Sequence, residues 1–245
     1  MDKIQVSTHG KTFYAGSKHE HFWRRVASGL WEPHTYRVFE RFLSAEHSYI
    51  DIGAWIGPTI LYGAQIAKHT YAVEPDPVAL QFLKTNLMFN QGLIDKITLF
   101  EGCIGESDGQ VQIGTNSHFG DSMSSLLFAG TKSSVTVPSL TFDSFIKISG
   151  AQNFNFIKMD IEGAESFVLP SMKKALHETK PTLHLSLHSG WFNNLREDSN
   201  KIVEVLSIYK YLYNHHGCLL THDSLIKNIL YKGKIYDIIA TDTKW

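Results

Sequence analysis

The sequence predicts an α/β protein with a doubly wound, mostly parallel sheet and an antiparallel hairpin strand at its C-terminal edge. Strand-like and helix-like stretches alternate from about residue 36 onward. A turn with two glycines, DIGAWIGPT at 51–59, links the first strand of that series to its helix. Near the C-terminus, SLIKNILYKGKIYDIIATD at 224–242 indicates two strands around a glycine turn. Repeated β-α-β units place helices on both faces of a parallel sheet, and a terminal hairpin adds an antiparallel edge.

Short apolar runs rich in β-branched and aromatic residues indicate the strands, and longer stretches with a roughly helical apolar period indicate the helices. The predicted strands lie at 49–52, 70–75, 96–102, 111–114, 135–139, 155–161 and 182–189. The predicted helices lie at 58–68, 77–90, 141–148, 164–177 and 197–216. Residues 1–40 do not fit the alternation, so we predict that they form an aromatic-rich cover packed on a core domain at 41–245.

The composition is that of an ordinary soluble protein and narrows the class of partner. The 245 residues are 43% hydrophobic and 19% charged, with a formal net charge of -1, so no overall field recruits nucleic acid. No apolar stretch is long enough to span a bilayer, and the N-terminus lacks the apolar centre of a signal peptide. The two cysteines form neither a metal-type spacing nor a disulfide framework. We therefore expect a cytoplasmic protein that binds neither nucleic acid nor membrane.

The turn at 51–59 has the composition of a strand-to-helix junction that can hold a ligand. Gly53 permits a sharp turn, Gly57 lets the following helix approach closely, and Pro58 suits the first helical position. The free N–H groups at such a helix start attract anionic groups. The next predicted strand ends at Glu74, where doubly wound folds place the acid that holds two ribose hydroxyls. Such a turn also serves purely structural purposes, but the turn and the acid in this order favour nucleoside binding.

Trp55 decides which nucleoside we expect. The dinucleotide fingerprint has a second glycine two residues after the first, and this chain has Trp55 two residues after Gly53. A bulky indole there obstructs a pyrophosphate that would lie against the backbone. S-adenosyl-L-methionine, with adenine, ribose and a compact amino-acid end, fits better. The alternatives are an NAD(P)-dependent oxidoreductase on a related fold and a non-catalytic nucleoside-binding domain.

Three segments in this order, YIDIGAWIGPT (49–59), YAVEPDP (71–77) and FIKMDIEGAE (156–165), resemble the FkbM family of S-adenosylmethionine-dependent methyltransferases. The resemblance extends over residues 30–190, and the third segment is its most specific part. It implies a Rossmann-like methyltransferase fold with a seven-stranded sheet, and S-adenosyl-L-homocysteine as the product of the donor. It also implies O-methylation of a hydroxyl on a small-molecule acceptor such as a saccharide or another natural product.

The resemblance assigns part of the glycine turn to the methionine end of the cofactor. Asp51, Gly53 and Gly57 would shape this end of the pocket. Trp55, which lies among them, stands where many relatives have asparagine, and we include it among the cofactor-binding residues.

The resemblance assigns four further positions to the ribose, the adenine and the sulfonium. Glu74, followed by Pro75, would hold the ribose, and Cys103 would line the adenine. Asp160 would lie near the sulfonium and the acceptor. Relatives often have a glutamate where this chain has Ser186, so the acceptor pocket is expected to differ.

His188 and Asp160 are the predicted catalytic residues. Transfer of a methyl group to a hydroxyl needs a base for the proton, and histidine has a suitable pKa. In TLHLSLHS, His188 is the last residue on the strand face shared with His184 and Ser186, at the end where open α/β sheets bind ligands. A histidine hydrogen-bonded at a strand end is the structural alternative. Asp160 is the alternative base, or an acceptor of hydrogen bonds from the cofactor or the backbone.

The acids of the third segment pose the question of a metal. Asp160, Glu162 and Glu165 offer the oxygen ligands that Mg²⁺ prefers. Gly163 and the helix start after it favour a structural role for the two glutamates, since acids stabilise a helix N-terminus without an ion. We therefore expect no metal ligands, with magnesium as the alternative.

Overall fold

The computed structural model describes residues 2–131, 133–230 and 235–245. The strands are β1 (Lys3–Thr8), β2 (Lys11–Gly16), β3 (Ser48–Ile52), β4 (Thr70–Glu74), β5 (Ile97–Glu101), β6 (Cys103–Ile104), β7 (Gly109–Thr115), β8 (Ser124–Ser125), β9 (Ser134–Leu140), β10 (Phe154–Met159), β11 (Thr182–His188), β12 (Tyr211–Asn214) and β13 (Ile235–Thr241). The α-helices are α1 (Glu20–Ala27), α2 (Pro33–Phe42), α3 (Pro58–Gly63), α4 (Pro77–Met88), α5 (Gln91–Ile94), α6 (Phe142–Ser149), α7 (Glu165–Ser171), α8 (Lys173–Thr179), α9 (Leu195–Leu206) and α10 (His222–Ile229). Within these ranges, no helix combines the length and the apolar character needed to cross a bilayer.

The central sheet has seven strands in the order β12-β13-β11-β10-β3-β4-β5. Neighbouring strands are parallel from β5 to β11, whereas β13 runs antiparallel to both β11 and β12. The prediction of an α/β fold is confirmed, with a large mixed sheet rather than a purely parallel one. From β3 the chain proceeds to β4 and β5 on one side, and later to β10 and β11 on the other. The topological switch point, where open α/β sheets bind ligands, therefore lies beside β3.

Apolar side chains cover both faces of this sheet. On β10, Ile157 and Met159 belong to one buried cluster and Phe156 to another, as expected from the alternation of side chains along a strand. The second cluster also contains Trp23 and Phe39 from the N-terminal helices α1 and α2. Helix α2 runs across the predicted boundary at residue 40, and the division into cover and core stays a prediction.

A second sheet follows β5 in the chain. Its four strands are arranged in the order β6-β9-β7-β8 and include the two short strands predicted at 111–114 and 135–139. This sheet and the loop between β7 and β8 approach the carboxyl end of β4, where Gly120 and Ser124 donate hydrogen bonds to Asp76.

The predicted C-terminal hairpin is wrong, because residues 222–229 form helix α10. Thr221 caps the helix by accepting a hydrogen bond from the backbone N–H of Ser224, whose hydroxyl accepts one from the N–H of Thr221. Leu225 and Ile229, four residues apart, are buried on one helix face. The predicted glycine turn at 231–234 lies outside the described residues. The antiparallel edge instead arises because β13 inserts between β11 and β12.

The predicted helix at 197–216 is also too long. Helix α9 ends at Leu206, and Tyr211–Asn214 form strand β12. Tyr211 and Tyr213 lie at alternate positions of this strand and pair with Thr241 and Ile239 of β13. Alternating aromatic residues favour a strand, so this change was visible in the sequence.

Candidate active site

Two adjoining hollows open at the carboxyl ends of β3, β4 and β10. The inner pocket is a narrow, mostly apolar slot, and its wall includes six of the predicted site residues: Gly53, Trp55, Glu74, Pro75, Cys103 and Asp160. The outer cleft encloses about 580 Å³, enough for a small organic molecule. Its wall includes Trp31, Glu32, His34, Lys158, Glu162 and His188. Gly53, Trp55, Asp160 and Glu162 line both hollows and therefore form the boundary between them.

Gly53 is required where the turn crosses the end of β10. Its φ is +95°, and a Cβ added there would lie 1.9 Å from the backbone oxygen of Asp160. The N–H of Asp160 donates to the carbonyl of Ile52 at 3.0 Å, and the N–H of Gly53 donates to Val73 at 3.0 Å. Hydrogen bonds to both flanking strands thus fix the turn at the switch point. Trp55, two residues further on, has a backbone φ of +47°, which is uncommon for a residue other than glycine.

Trp55 is held from two sides. Its backbone N–H donates to Glu74 Oε2 at 2.7 Å, and its indole Nε1 donates to the carbonyl of Gly120 at 3.0 Å. Gly120 lies in the loop between β7 and β8. The indole therefore connects the glycine turn to that loop across the rim of the inner pocket.

Glu74 is a buried carboxylate at the end of β4. It is 6% exposed, and its Oε1 accepts a hydrogen bond from the N–H of Asp76 at 2.8 Å. Burial raises the pKa of Glu74 to about 8, although the N–H groups of Asp76 and Trp55 oppose this shift by stabilising the charge. Each carboxylate oxygen accepts one backbone hydrogen bond and keeps a lone pair for a further donor.

Asp76 is a structural anchor of the site that sequence reasoning missed. One oxygen caps α4 by accepting from the N–H groups of Val78 and Ala79 at 2.8 and 3.0 Å. The other accepts from Gly120 N–H at 2.7 Å and from the hydroxyl of Ser124 at 2.6 Å. An aspartate before a proline is typical of a helix start, but no local pattern indicates the long-range contacts with the loop.

Asp51 and Gly57 lie behind the turn and are not part of the described pocket walls. Asp51 is fully buried, and its Oδ2 accepts hydrogen bonds from Tyr49 and Thr59, both at 2.6 Å. Burial raises the pKa of Asp51, while the nearby charge of Lys158 lowers it. Gly57 caps α3 with a φ of +94°. These two residues support the turn, and a direct contact with a ligand stays a prediction for both.

Cys103 contributes to an apolar side of the inner pocket together with Ile104 and Ile113. Burial raises the pKa of the Cys103 thiol to about 11, so the group is neutral near neutral pH. Its Sγ lies 3.7 Å from the carbonyl of Pro138. A neutral, apolar wall of this kind suits a flat ring better than a charged group.

His188 lies among the three carboxylates of the third sequence segment, and we call Asp160, Glu162, Glu165 and His188 the acid–histidine cluster. His188 Nδ1 lies 3.2 Å from Glu165 Oε1. His188 Nε2 lies 3.4 Å from Glu162 Oε2 and 3.7 Å from Asp160 Oδ1. Lys158, which is 3% exposed, donates to the other oxygen of Asp160 at 3.0 Å. The sequence placed the two predicted catalytic residues in different segments, and the fold brings them together at neighbouring strand ends.

The charge of His188 follows from these neighbours. Burial by itself lowers the pKa of His188, but the hydrogen bond to Glu165 and the charges of the three carboxylates outweigh it and raise the pKa to about 10. Burial raises the pKa of Glu162 to about 7. This arrangement favours the protonated form of His188 near neutral pH, and its role as general base stays a prediction.

A carboxylate from another strand lies beside Ser186. Asp237 of β13 is in register with Ser186 and accepts a hydrogen bond from its hydroxyl at 2.8 Å. Asp237 Oδ2 also lies 2.8 Å from His34 Nε2, which belongs to α2. An acid therefore lies beside Ser186 in the outer cleft, and α2 and β13 supply a side of the cleft that the sequence did not indicate.

The fold is of the α/β methyltransferase-like class. A sequence profile described as "Methyltransferase FkbM domain" matches residues 51–215, which is more than half of the chain. The chain belongs to the FkbM methyltransferase family, and the resemblance noted in its sequence is confirmed. No curated protein matches the sequence.

Solved structures to which this chain is similar include two that are described as methyltransferases and one described as an rRNA methylase. An FkbM methyltransferase from Methylobacillus flagellatus KT is 20% identical with a TM-score of 0.54, and the match covers 89% of this chain and 52% of that one. This chain therefore spans about half the length of that protein. A precorrin-6y C5,15-methyltransferase from Geobacter metallireducens GS-15 is 14% identical with a TM-score of 0.47, covering 85% and 87% of the two chains. An rRNA methylase from Streptococcus thermophilus is 10% identical with a TM-score of 0.48, covering 85% and 95%.

Proposed function

We propose that this protein transfers a methyl group from S-adenosyl-L-methionine to a hydroxyl of a small-molecule acceptor such as a saccharide. The observation that carries the proposal is the position of Glu74. This buried carboxylate lies at the end of β4, is bonded to the glycine turn through Trp55, and lines the inner pocket. The outer cleft, which shares Gly53 and Asp160 with that pocket, provides the space for an acceptor.

The parts of the donor match different sides of the inner pocket. Each oxygen of Glu74 has a lone pair left for one of the two ribose hydroxyls, and hydrogen bonds from both hydroxyls favour the ionised form of this buried acid. The apolar side formed by Cys103 and Ile104 suits the adenine ring. The methionine end would then lie against the turn at Gly53, with the sulfonium near the carboxylate of Asp160. Opposite charge at that point favours a sulfonium cation.

Trp55 argues for this donor and against a nicotinamide dinucleotide. Its indole is fixed by the hydrogen bond to Gly120 and lies at the rim of the inner pocket. A dinucleotide places its pyrophosphate against the glycine turn at this point, where a second glycine normally leaves room. S-adenosylmethionine has no pyrophosphate and does not need that room.

The reaction is an in-line displacement at the methyl carbon. The acceptor oxygen forms a bond to that carbon while the carbon–sulfur bond breaks, and the acceptor hydroxyl loses its proton. Alignment of the three atoms in a closed site contributes roughly 7–11 kcal/mol to such a reaction. The boundary residues Asp160 and Glu162 can accept a hydrogen bond from the acceptor hydroxyl and so orient its oxygen toward the inner pocket. The surrounding carboxylates stabilise the protonated form of His188. His188 can accept the proton of the acceptor hydroxyl only after it has lost its own proton.

Calorimetric titration with S-adenosylhomocysteine and with NADH tests the donor. We expect S-adenosylhomocysteine to bind the wild-type chain with one site and NADH to give no heat. Radiolabelled S-adenosylmethionine and a library of saccharides and other hydroxyl compounds then test for transfer of the methyl group. Binding of NADH without S-adenosylhomocysteine would indicate an oxidoreductase instead, and donor binding without transfer to any acceptor would indicate a non-catalytic domain.

A further inference from the structure

We propose that Asp160, Glu162 and His188 form a binding site for one divalent first-row metal cation, such as Mn²⁺, at the boundary between the inner pocket and the outer cleft. From the sequence we expected no metal ligands, because the two glutamates suit a structural role at a helix start and His188 is distant from them in the chain. The fold places the imidazole nitrogen of His188 beside the carboxylates of Asp160 and Glu162, which makes a metal site possible.

The distances between the three side chains suit a common ion. One ligand atom from each residue lies within 4.8 Å of the others. His188 Nε2 is 3.4 Å from Glu162 Oε2 and 3.7 Å from Asp160 Oδ1. Two atoms that each lie about 2.1 Å from one ion are separated by roughly 3.0–4.2 Å, depending on the angle at the ion. Both distances fall in this interval, and the ligand atoms of Asp160 and Glu162 lie within 4.8 Å of each other.

The imidazole of His188 is oriented as metal-bound histidines are. Its Nδ1 lies 3.2 Å from Glu165 Oε1, and Glu165 is itself fully buried and held by the N–H groups of Ile161 and Gly163 at 3.0 and 2.9 Å. A carboxylate on one nitrogen fixes the ring and leaves the other nitrogen as the ligand. His188 is 5% exposed, and among the described residues the ion pairs that its Nε2 forms within 4 Å are those with the two carboxylates of the proposed site. The buried nitrogen therefore points at the position of the ion.

Lys158 does not close the site. Its ammonium group forms an ion pair with Asp160 Oδ2 at 3.0 Å. The other oxygen, Asp160 Oδ1, faces His188 and is the one available to a metal ion. With Glu165 included, three carboxylates face Lys158 and His188 in this region, so a cation bound to a neutral His188 improves the balance of charge. One nitrogen and two carboxylate oxygens favour Mn²⁺ and similar ions over Ca²⁺, which prefers oxygen ligands alone.

The position of the ion suggests its use. Asp160 and Glu162 line both hollows, so an ion bound to them contacts a ligand that enters from the outer cleft. Coordination lowers the pKa of a bound hydroxyl, which then releases its proton to water and attacks the methyl carbon as an alkoxide. This use rests on the proposed methyl transfer, whereas binding of the ion does not.

Electron paramagnetic resonance of Mn²⁺ tests the site directly. We expect chelator-treated wild-type chain to bind one Mn²⁺, and we expect the pulsed spectrum to contain the coupling of a directly bound imidazole nitrogen. Glu162→Gln and His188→Ala should each weaken Mn²⁺ binding at least about tenfold. Glu204→Gln is the matched control, because Glu204 is an exposed acid paired with Lys173 on the far helices, and it should bind Mn²⁺ as the wild type does.

The possible results separate this inference from the proposed function. If the wild type binds S-adenosylhomocysteine but retains no Mn²⁺, the metal site is wrong and the methyltransferase proposal stands. If Mn²⁺ binds but the nitrogen coupling is missing, or if Glu162→Gln binds it as tightly as Glu204→Gln, the ion lies elsewhere and the inference is overturned. If a variant fails to fold, as judged by circular dichroism, the nitrogen coupling in the wild type still decides. Failure to bind S-adenosylhomocysteine, with Mn²⁺ bound to His188, would instead remove the proposed function alone.

Discussion

Glu74→Gln is expected to weaken the binding of S-adenosylhomocysteine about a hundredfold. The substitution keeps the size of the side chain but replaces one acceptor oxygen by an NH2 group and prevents the ionisation that the ribose hydroxyls favour. The titration is carried out above the pKa of about 8, where Glu74 is ionised before the ligand binds. Each hydrogen bond to a charged group contributes about 1.5–3 kcal/mol, and the loss of this assistance corresponds to about 3 kcal/mol, or two powers of ten in affinity. The amide nitrogen of glutamine also cannot accept the N–H of Trp55 or Asp76, which loosens the rim of the pocket. Isothermal titration calorimetry measures the change.

Glu101→Gln is the control for this variant. Glu101 is in register with Glu74 on the next strand, but it is exposed and pairs with Lys84 at 2.7 Å. Its substitution removes one charge from the same edge of the sheet without touching the pocket, and the affinity should stay at the wild-type value. Equal affinities of the two variants would show that Glu74 does not hold the nucleoside.

Gly53→Ala is expected to lower the free energy of unfolding by at least about 4 kcal/mol. The added Cβ would lie 1.9 Å from the carbonyl oxygen of Asp160, and the φ of +95° is strained for alanine. The clash is between the new Cβ and the backbone of Asp160, so its relief requires the ends of β3 and β10 to separate at the switch point. Native proteins are stable by only about 5–15 kcal/mol, which makes a loss of this size readily visible. Urea unfolding followed by circular dichroism measures it.

Gly10→Ala separates the steric clash from the backbone strain. Gly10 also has a positive φ, +72°, but an added Cβ meets nothing within 4 Å. We expect a cost of about 1–2 kcal/mol there, from the left-handed conformation alone. If the two variants unfold at the same urea concentration, the close approach of the turn to β10 does not determine stability, and the role assigned to Gly53 is wrong.

The parts of the fold that could be predicted are those with local signals. Short β-branched runs such as 49–52 and 70–75 identified the central strands, because buried parallel strands are apolar throughout. The prediction for the C-terminal region was wrong because its local signals are weak. Residues 222–229 are apolar enough for a strand, and only the reciprocal cap between Thr221 and Ser224 distinguishes them as a helix.

The site divides in the same way. The glycine turn and Glu74 were recognisable, because backbone conformation and strand ends leave marks in the sequence. The contacts of Asp76 with Gly120 and the pairing of Asp237 with His34 join residues far apart in the chain, and no pattern within either segment indicates them. Only part of the acid–histidine cluster could be predicted. Its three acids lie in one sequence motif, but their distance to His188 depends on the register between β10 and β11.

The crystal structure of the complex with S-adenosylhomocysteine tests the central claim most directly. We predict that both ribose hydroxyls lie within hydrogen-bonding distance, about 2.6–3.0 Å, of the two carboxylate oxygens of Glu74. The adenine should lie against Cys103 and Ile104, and the sulfur should face Asp160. A nucleoside bound elsewhere, or a ribose held by other groups while Glu74 keeps only its two backbone partners, would contradict the account.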